Sequence, residues 1–201
     1  MYIVLEGMDL AGKSTLTKQL TERLKADNYD VLQVEEPAKS PDSLLTIRNL
    51  IIDNGICEEA KLYLAIAQRI ELGDKVVVPA LNQGKTVISD RCFISTAVYQ
   101  GNGRIGLYSV IERNVKALKI FNTQMYPDKL IFVKIDHDTF LQRAGSRSVL
   151  DDQETRLLNR EYFERFVHRY ENALSAACSL IKIKPYFYDG DFEALVDYIK
   201  N

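Results

Sequence analysis

Short apolar runs alternate with longer segments of helical periodicity along this chain. The runs have the length and the β-branched and aromatic content of buried strands, and they cover residues 2–6, 29–35, 85–90, 129–136 and 181–188. Apolar residues recur at helical spacing between them, which predicts helices over 13–27, 41–54, 59–83, 107–125, 156–178 and 191–201. This alternation predicts right-handed crossovers and therefore an α/β fold, a five-stranded parallel sheet with helices on both faces.

The pattern also bears on domain organisation and on where a ligand would bind. No internal repeat, low-complexity tract or linker divides the 201 residues, so we expect a single domain over 1–201. Ligands of parallel α/β sheets bind at the carboxyl ends of the strands. The loops that follow the predicted strands are therefore the first candidates for a site.

The loop after the first strand reads EGMDLAGKST, residues 6–15. Gly7 and Gly12 permit backbone conformations and a close approach that a Cβ would block, and the helix that follows adds its positive dipole end. Lys13 would reach the β- and γ-phosphates, and the Ser14 hydroxyl would ligate Mg²⁺. Because the motif follows a strand and precedes a helix, we favour a P-loop, and thus a P-loop NTPase three-layer fold, over a chance glycine turn. The ATP-binding residues predicted in this loop are Gly7, Asp9, Leu10, Ala11, Gly12, Lys13, Ser14 and Thr15.

A second strand, KTVISD, ends at Asp90 and is followed by Arg91. A carboxylate at this strand end suits a metal role beside Ser14, and the adjacent arginine suits a second phosphate, the one that accepts the transferred group. A surface ion pair at the strand end is the alternative. The guanine signature Asn-Lys-x-Asp is absent from the sequence, which argues against a GTPase.

The composition indicates in which compartment the protein works and which classes of partner it lacks. The chain has 26 Lys and Arg against 28 Asp and Glu, so it lacks the overall basic field that holds proteins on nucleic acid. No apolar run is long enough to span a bilayer. The cysteines, Cys57, Cys92 and Cys178, are odd in number and widely spaced, and His137 and His168 are solitary, so we expect neither a disulfide framework nor a zinc site. These features predict a cytoplasmic protein with no nucleic-acid or membrane partner.

Motifs in order along nearly the whole chain carry a family resemblance. They are EGMDLAGKST, VEEP (34–37), IRNLI (47–51), AIAQR (65–69), PALNQGKTVISDR (79–91) and FISTAVYQGNGR (93–104). With these motifs the sequence resembles the thymidylate kinase family of nucleoside monophosphate kinases. The resemblance implies Mg²⁺- and ATP-dependent conversion of dTMP to dTDP, by a homodimer packed through helices such as the one over 59–83.

The resemblance also implies an acceptor pocket, whose residues would be Asp9, Glu36, Pro37, Arg48, Arg69, Arg91, Ser95, Thr96, Tyr99 and Gln100. In it, Arg48 and Arg91 would clamp the acceptor phosphate, and Arg69 would bond the pyrimidine O4. Tyr99 would press against the sugar where a ribose 2′-hydroxyl would sit. The arginine roles agree with the need for cations between two polyphosphates.

Other roles in that pocket are less distinctive. The resemblance places Asp9 by the sugar and phosphate, Ser95 and Thr96 near the N3 edge of the base, and Gln100 at the border of the pocket. Capping of a helix N-terminus and ordinary packing are the alternative for Ser95, Thr96 and Tyr99.

The segment over 143–160 is polar and rich in arginine, which is typical of a lid that closes over ATP and excludes water. We predict a lid over approximately 144–158. In the family the helper arginine lies either in the P-loop or in the lid, and Leu10 is neutral here. Arg147 is therefore the predicted catalytic arginine, beside Lys13, Asp90 and Arg91, and Arg143 is placed near the adenine. Arg156 and Arg160 could equally be solvated charges on a helix.

One departure from the family puts the base in question. An aromatic residue four positions before the pyrimidine-binding arginine stacks on the base in the family, whereas this chain has Ala65 there. Tyr63 lies two residues earlier, on a different side of a helix. A modified pyrimidine nucleotide is thus an alternative substrate. A deoxynucleoside kinase with Glu36 as base and a non-enzymatic nucleotide-binding regulator are further alternatives.

Overall fold

The computed structural model describes residues 1–53, 55–101 and 104–201. Its strands form one parallel sheet in the order β2-β3-β1-β4-β5, which confirms the predicted five-stranded sheet. The strands are β1 (Tyr2–Glu6), β2 (Val31–Glu35), β3 (Thr86–Asp90), β4 (Lys129–Val133) and β5 (Tyr186–Tyr188). Residue 54 of the predicted helix 41–54, and residues 102 and 103 of the motif 93–104, lie outside the described residues.

Helices cover both faces of this sheet. They are α1 (Lys13–Ala26), α2 (Asp42–Ile52), α3 (Glu58–Leu72), α4 (Val78–Asn82), α5 (Phe93–Gln100), α6 (Leu107–Leu118), α7 (His137–Gly145), α8 (Asp152–Leu157), α9 (Arg160–Ile181) and α10 (Phe192–Lys200). A π-helical turn spans Gly73–Val77, and a 3₁₀ turn spans Lys119–Phe121.

The central strand β1 divides the core into two layers. Its side chains alternate: Tyr2 and Val4 pack with α3, α5, α6 and α9, whereas Ile3 and Leu5 pack with α1 and α10. All four side chains are buried, as expected for a central strand of a parallel sheet. Glu6 ends the strand and is also buried, so a carboxylate is fixed in the core directly before the P-loop.

The predicted helix over 59–83 is present as unbroken helical backbone from Glu58 to Asn82, but it contains a π-helical turn. α3 ends at Leu72, the π-helical turn follows, and α4 begins at Val78. Pro79 has no N–H to continue the α-helical ladder. At Gly73 an added Cβ would lie 2.8 Å from the ring of Phe121, so the absence of a side chain lets that ring pack against the helix backbone where the π-helical turn begins.

Other boundaries also differ from the prediction. The segment 156–178 is two helices, because Asn159 caps α9 through a bond from the backbone N–H of Tyr162. α9 continues to Ile181 and ends where Lys182 adopts a left-handed conformation, so the predicted strand over 181–188 is reduced to β5. The helices α5 and α7 were not among the predicted elements. α7 begins where Asp136, predicted as the end of a strand, accepts a bond from Thr139 N at 2.8 Å.

The sheet brings two loops together at its carboxyl edge. Leu5 of β1 pairs with Asp90 of β3, and Arg91 N donates to Leu5 O at 2.8 Å. Glu36 N donates to Asp90 O at 3.0 Å, which places the residues after β2 beside the same edge. Among the described residues, no helix is both long and apolar enough to cross a membrane.

Candidate active site

The loop after β1 surrounds a large cavity, here called the P-loop cavity, with a volume of about 850 Å³. Residues 9–15 line it together with Asp90, Arg91, Arg143 and Arg147. Gly7 has φ 150°, and a Cβ there would lie 2.5 Å from the Val133 carbonyl oxygen, so only glycine leaves the loop this close to β4. Gly12 has φ 95° and directly precedes α1, whose first N–H groups form an anion-binding end.

Lys13 is the buried cation of this loop. Its Nζ donates to the carbonyl oxygen of Met8 at 2.7 Å, inside the turn of the loop. Burial lowers the pKa of Lys13 to about 8, and the Arg91 guanidinium acts in the same direction, while Asp90 and Asp9 oppose the shift. An anion that entered the cavity would stabilise the ammonium form and raise this pKa again.

Two oxygen groups meet beside Lys13. Ser14 Oγ donates to Asp90 Oδ2 at 2.9 Å. Asp90 Oδ1 is buried and has no hydrogen-bond partner among the described residues. A hydroxyl and a carboxylate with an unpartnered buried oxygen are hard ligands of the kind that Mg²⁺ prefers, so these two residues fit the predicted metal role.

Arg91 lies at the centre of a polar cluster on the far side of the P-loop. Its Nη2 donates to Asp9 Oδ1, and its Nη1 donates to Ser95 Oγ at 2.8 Å. Tyr99 donates its hydroxyl to the other oxygen of Asp9 at 2.6 Å. Burial alone would raise the pKa of Asp9, but Arg91 and Lys13 lower it below its usual value. Asp9 is thus held as a carboxylate between Arg91 and Tyr99.

A buried group that was not among the predicted site residues lies beneath this cluster. Glu6 Oε1 accepts bonds from the N–H groups of Cys92 and Ser95, which cap α5. Glu6 Oε2 accepts the hydroxyl of Tyr170, on α9, at 2.5 Å, and Tyr170 in turn accepts Arg91 Nη1 at 3.2 Å. The acidic residue at the end of an apolar strand was the visible signal for Glu6, whereas nothing local in the sequence points to Tyr170.

A second cavity, the Arg69 cavity, has a volume of about 290 Å³ and adjoins the first. The structure places all ten predicted acceptor residues in its lining: Asp9, Glu36, Pro37, Arg48, Arg69, Arg91, Ser95, Thr96, Tyr99 and Gln100. Asp9, Glu36, Pro37, Arg48 and Arg91 also line the P-loop cavity. The two cavities therefore meet along a border with two arginines and two carboxylates.

Arg69 is fixed at the inner end of this cavity. Its Nε donates to Glu36 Oε2 at 2.6 Å and its Nη2 to Thr96 Oγ1 at 2.9 Å. Its Nη1 donates to Asn114 on α6, a residue that the sequence analysis did not single out. Burial raises the pKa of Glu36, although Arg69 opposes the shift. Glu36 Oε1 has no hydrogen-bond partner among the described residues.

The structure places a small side chain, Ala65, at the position where the family has an aromatic residue that stacks on the base. Ala65 lines the Arg69 cavity one helical turn from Arg69. The Tyr63 side chain is exposed, and its hydroxyl accepts a bond from Arg113 on α6. Tyr63 thus points away from the cavity, as its helical position predicted.

The arginines around the predicted lid divide into two groups. Arg143 Nη1 donates to Leu10 O at 2.6 Å, and Arg143 and Arg147 both line the P-loop cavity. Arg156 and Arg160 are exposed, and in the described part of the chain neither lines one of the two cavities. Arg160 pairs with Asp138 at 2.7 Å, which agrees with the interpretation as a solvated charge.

Comparison with known proteins tests the family resemblance. The thymidylate kinase family profile matches residues 5–185. The chain is 37% identical over 183 residues to a thymidylate kinase of Finegoldia magna, covering 88% of this chain and 85% of that protein. It is 39% identical over 152 residues to a thymidylate kinase of Chlorobium chlorochromatii, covering 75% and 67%.

A solved structure agrees on the fold. The crystal structure of thymidylate kinase from Ehrlichia chaffeensis superposes with a TM-score of 0.71 at 23% identity, over 99% of this chain and 98% of that one. This likeness confirms the P-loop NTPase fold. The family profile and the relatives show that the chain belongs to the thymidylate kinase family of nucleoside monophosphate kinases.

Proposed function

We propose that this chain transfers the γ-phosphoryl group of ATP to dTMP and so forms dTDP. The observation that carries the proposal is the shared border of the two cavities, where Asp9, Arg48 and Arg91 face both. Such a border suits an in-line transfer between two phosphates, because their mutual repulsion must be neutralised by cations. The relatives named thymidylate kinase support dTMP as the acceptor.

On the donor side, the loop N–H groups and the first turn of α1 would hold the β- and γ-phosphates, and Lys13 would neutralise them. Ser14 and Asp90 are the residues that would hold Mg²⁺. The ion would supply charge to the transferring phosphoryl group. Arg147 would add charge from the lid over approximately 144–158, and Arg143 would lie near the adenine.

On the acceptor side, Arg48 and Arg91 would bind the phosphate of dTMP. Arg69 would donate to O4 of the base from the depth of its cavity, with Thr96 and Ser95 beside it. Tyr99 is held by Asp9, so its ring would remain against the sugar and disfavour a ribonucleotide. Little covalent chemistry is required of the protein, since positioning and charge neutralisation suffice.

A second candidate rests on one observation. Glu36 lines both cavities and carries an unpartnered carboxylate oxygen, and a deoxynucleoside kinase needs such a base for a sugar hydroxyl. Arg48 and Arg91 favour the first proposal, because a nucleoside brings no phosphate for them to bind. A regulator without turnover would not need the Ser14 and Asp90 pair.

A coupled assay of ATP consumption separates these functions. The panel contains dTMP, dUMP, dCMP, 5-substituted pyrimidine deoxynucleotides and the corresponding nucleosides. We expect turnover with dTMP in the presence of Mg²⁺ and none with thymidine. Faster turnover of a nucleoside would establish the second candidate, and no turnover of any compound would leave the chain a nucleotide-binding regulator.

Ala65 gives a prediction about the base. With no aromatic plane over the ring, the wild-type chain should discriminate weakly between dTMP and nucleotides with bulkier 5-substituents. Ala65→Phe should favour dTMP by up to roughly tenfold in kcat/KM, since one aromatic contact contributes about 1 kcal/mol. Sharp selectivity in the wild type, with loss of dTMP activity in a variant of unchanged Tm, would show that another side chain fills this space.

The lowered pKa of Lys13 gives a pH prediction. Its ammonium form is lost as pH rises through about 8, so the free enzyme loses the cation that would attract ATP. We expect kcat/KM for ATP to be level below about pH 7 and to fall up to tenfold per pH unit above the pKa. The break in kcat should lie at higher pH, because bound phosphates hold the proton. Lys13→Arg should remove the break, and a wild-type profile without one would contradict the prediction.

We also propose that two copies of the chain associate through α3. Tyr63, Ile66, Ala67 and Ile70 recur at helical spacing on α3 and are exposed or partly exposed. Light scattering after size exclusion should give twice the mass of one chain, and Ala67→Arg should halve it. Glu22→Arg on the exposed side of α1 is the control and should leave the mass unchanged. A wild-type mass of one chain would exclude the homodimer.

The remaining proposals concern organisation and location. We propose that residues 1–201 act as one domain and that the protein works in the cytoplasm. All three cysteines, Cys57, Cys92 and Cys178, are free thiols in the structure, which suits a reducing compartment.

A further inference from the structure

A buried carboxylate lies in the predicted lid, where most side chains are exposed. Glu154 has a side chain only 4% exposed, although α8 is a short surface helix. Its partner Arg147 is 50% exposed and lines the P-loop cavity. Buried carboxylates are rare unless a partner fixes them, so the contacts of Glu154 carry information about its role.

The two oxygens of Glu154 have different partners. Oε1 accepts Arg147 Nη1 at 2.6 Å. Oε2 accepts the backbone N–H of Asp151 at 3.1 Å, and Asp151 Oδ1 accepts Glu154 N at 2.7 Å, which completes a capping box at the start of α8. The backbone N–H of Asp151 fixes the carboxylate in place, and the fixed carboxylate holds the guanidinium.

In the described part of the chain, no side chain other than Glu154 bonds to the Arg147 guanidinium. Arg147 follows α7 in a loop, where its backbone N–H donates to Ala144 O at 3.0 Å. An arginine side chain of this exposure has many rotamers. Ordering it costs conformational entropy, which raises the activation free energy of phosphoryl transfer unless a partner has already restricted the rotamers. A guanidinium carries five N–H donors, so the bond to Glu154 leaves donors for phosphate oxygens.

We propose that Glu154 is a positioning residue that orients Arg147 toward the transferring phosphoryl group. The inference rests on the proposed phosphoryl transfer and on the lid role of Arg147. Glu154 touches neither nucleotide in this proposal and acts through Arg147 alone. Its sequence position gives no hint of this, since the pair spans seven residues across a loop that has no regular period.

A double-mutant cycle tests the proposal with Arg147→Ala, Glu154→Gln and the combined variant, measured with ATP, Mg²⁺ and dTMP. Glutamine can still accept the Asp151 N–H through its oxygen, but its NH₂ group cannot accept from Arg147. We expect Arg147→Ala to lower kcat by about 10²-fold or more and Glu154→Gln by about tenfold, with KM for ATP changed less than about twofold. The combined variant should be no slower than Arg147→Ala alone.

Asp151→Ala is the matched control. It removes the other half of the capping box and leaves the Glu154–Arg147 pair, so kcat should stay within about twofold of the wild type. A loss of kcat in Asp151→Ala equal to that in Glu154→Gln would mean that helix stability is responsible, and would overturn the proposal. Multiplicative losses in the combined variant would also overturn it, because Glu154 would then act independently of Arg147.

Added guanidinium ion provides a second measurement that a folding defect cannot imitate. It should partly restore the turnover of Arg147→Ala and should fail to do so when Glu154→Gln is also present. Equal restoration in both variants would overturn the role of Glu154. Unchanged kcat in Arg147→Ala would exclude a catalytic role for Arg147 and, with it, the positioning role of Glu154. The proposed transfer to dTMP is tested separately, by the assay with the panel of nucleotides and nucleosides.

Discussion

Lys13→Ala should lower kcat by on the order of 10²- to 10³-fold, the loss expected when one cation that stabilises transition-state charge is removed. Lys13 is the buried ammonium of the P-loop, and it lines the cavity that would hold the phosphates of ATP. The measurement is steady-state kinetics with saturating ATP and dTMP.

The fold should survive this substitution. Burial lowers the pKa of Lys13, which means that the charged ammonium destabilises the folded state near neutral pH. Replacing this side chain with alanine removes that destabilisation. We therefore expect an unchanged or raised Tm. Lys18→Ala, an exposed lysine on the same helix, is the matched control and should retain wild-type kinetics. Wild-type activity in a folded Lys13→Ala protein would refute the assignment of the P-loop.

Arg91→Ala should lower kcat/KM for dTMP by about 10²-fold or more, because a buried charge that binds the acceptor phosphate is lost. The loss has a second origin in the protein itself. Asp9 is held between Arg91 and Tyr99, and without Arg91 its carboxylate would lose an ion-pair partner and turn repulsive toward phosphate. The effect should be larger on kcat/KM for dTMP than on KM for ATP.

Arg91→Lys separates charge from geometry. Arg91 has φ 77°, and alanine and lysine would bear the same backbone strain there, so a difference between the variants reports the side chain. We expect the lysine variant to regain part of the activity through its charge, without the planar fork that reaches Ser95 and Asp9. If Arg91→Ala leaves turnover of dTMP intact and a nucleoside is the better wild-type substrate, the acceptor carries no phosphate and the deoxynucleoside kinase replaces our proposal.

Much of the donor side was predictable because its information is local. The spacing of Gly7, Gly12 and Lys13 specifies a loop conformation within a few residues, whatever surrounds it. The carboxyl ends of parallel strands lie at one edge, so the topology alone brought Asp90 and Arg91 to that loop. The family resemblance, rather than any pattern, named the residues of the Arg69 cavity, and the structure gathered all ten around it.

Element boundaries were less predictable, for a physical reason visible at two places. At Gly73 the ring of Phe121 packs against the helix backbone and a π-helical turn forms, although the periodicity continues unbroken through the segment. β4 ends at Val133, and a side-chain cap at Asp136 begins α7 three residues later, so the strand stops short of its predicted end.

By itself the sequence determined the alternation of strands and helices, the P-loop and the acidic–basic pair at the end of β3, since each depends on spacing within one element or one turn. Only the tertiary structure placed the Tyr170 hydroxyl on Glu6, Asn114 on Arg69 and a buried Glu154 beneath Arg147. These contacts join side chains across different elements or across an irregular loop. Their formation depends on how helices pack against a sheet and against one another, and no period along the chain encodes that packing.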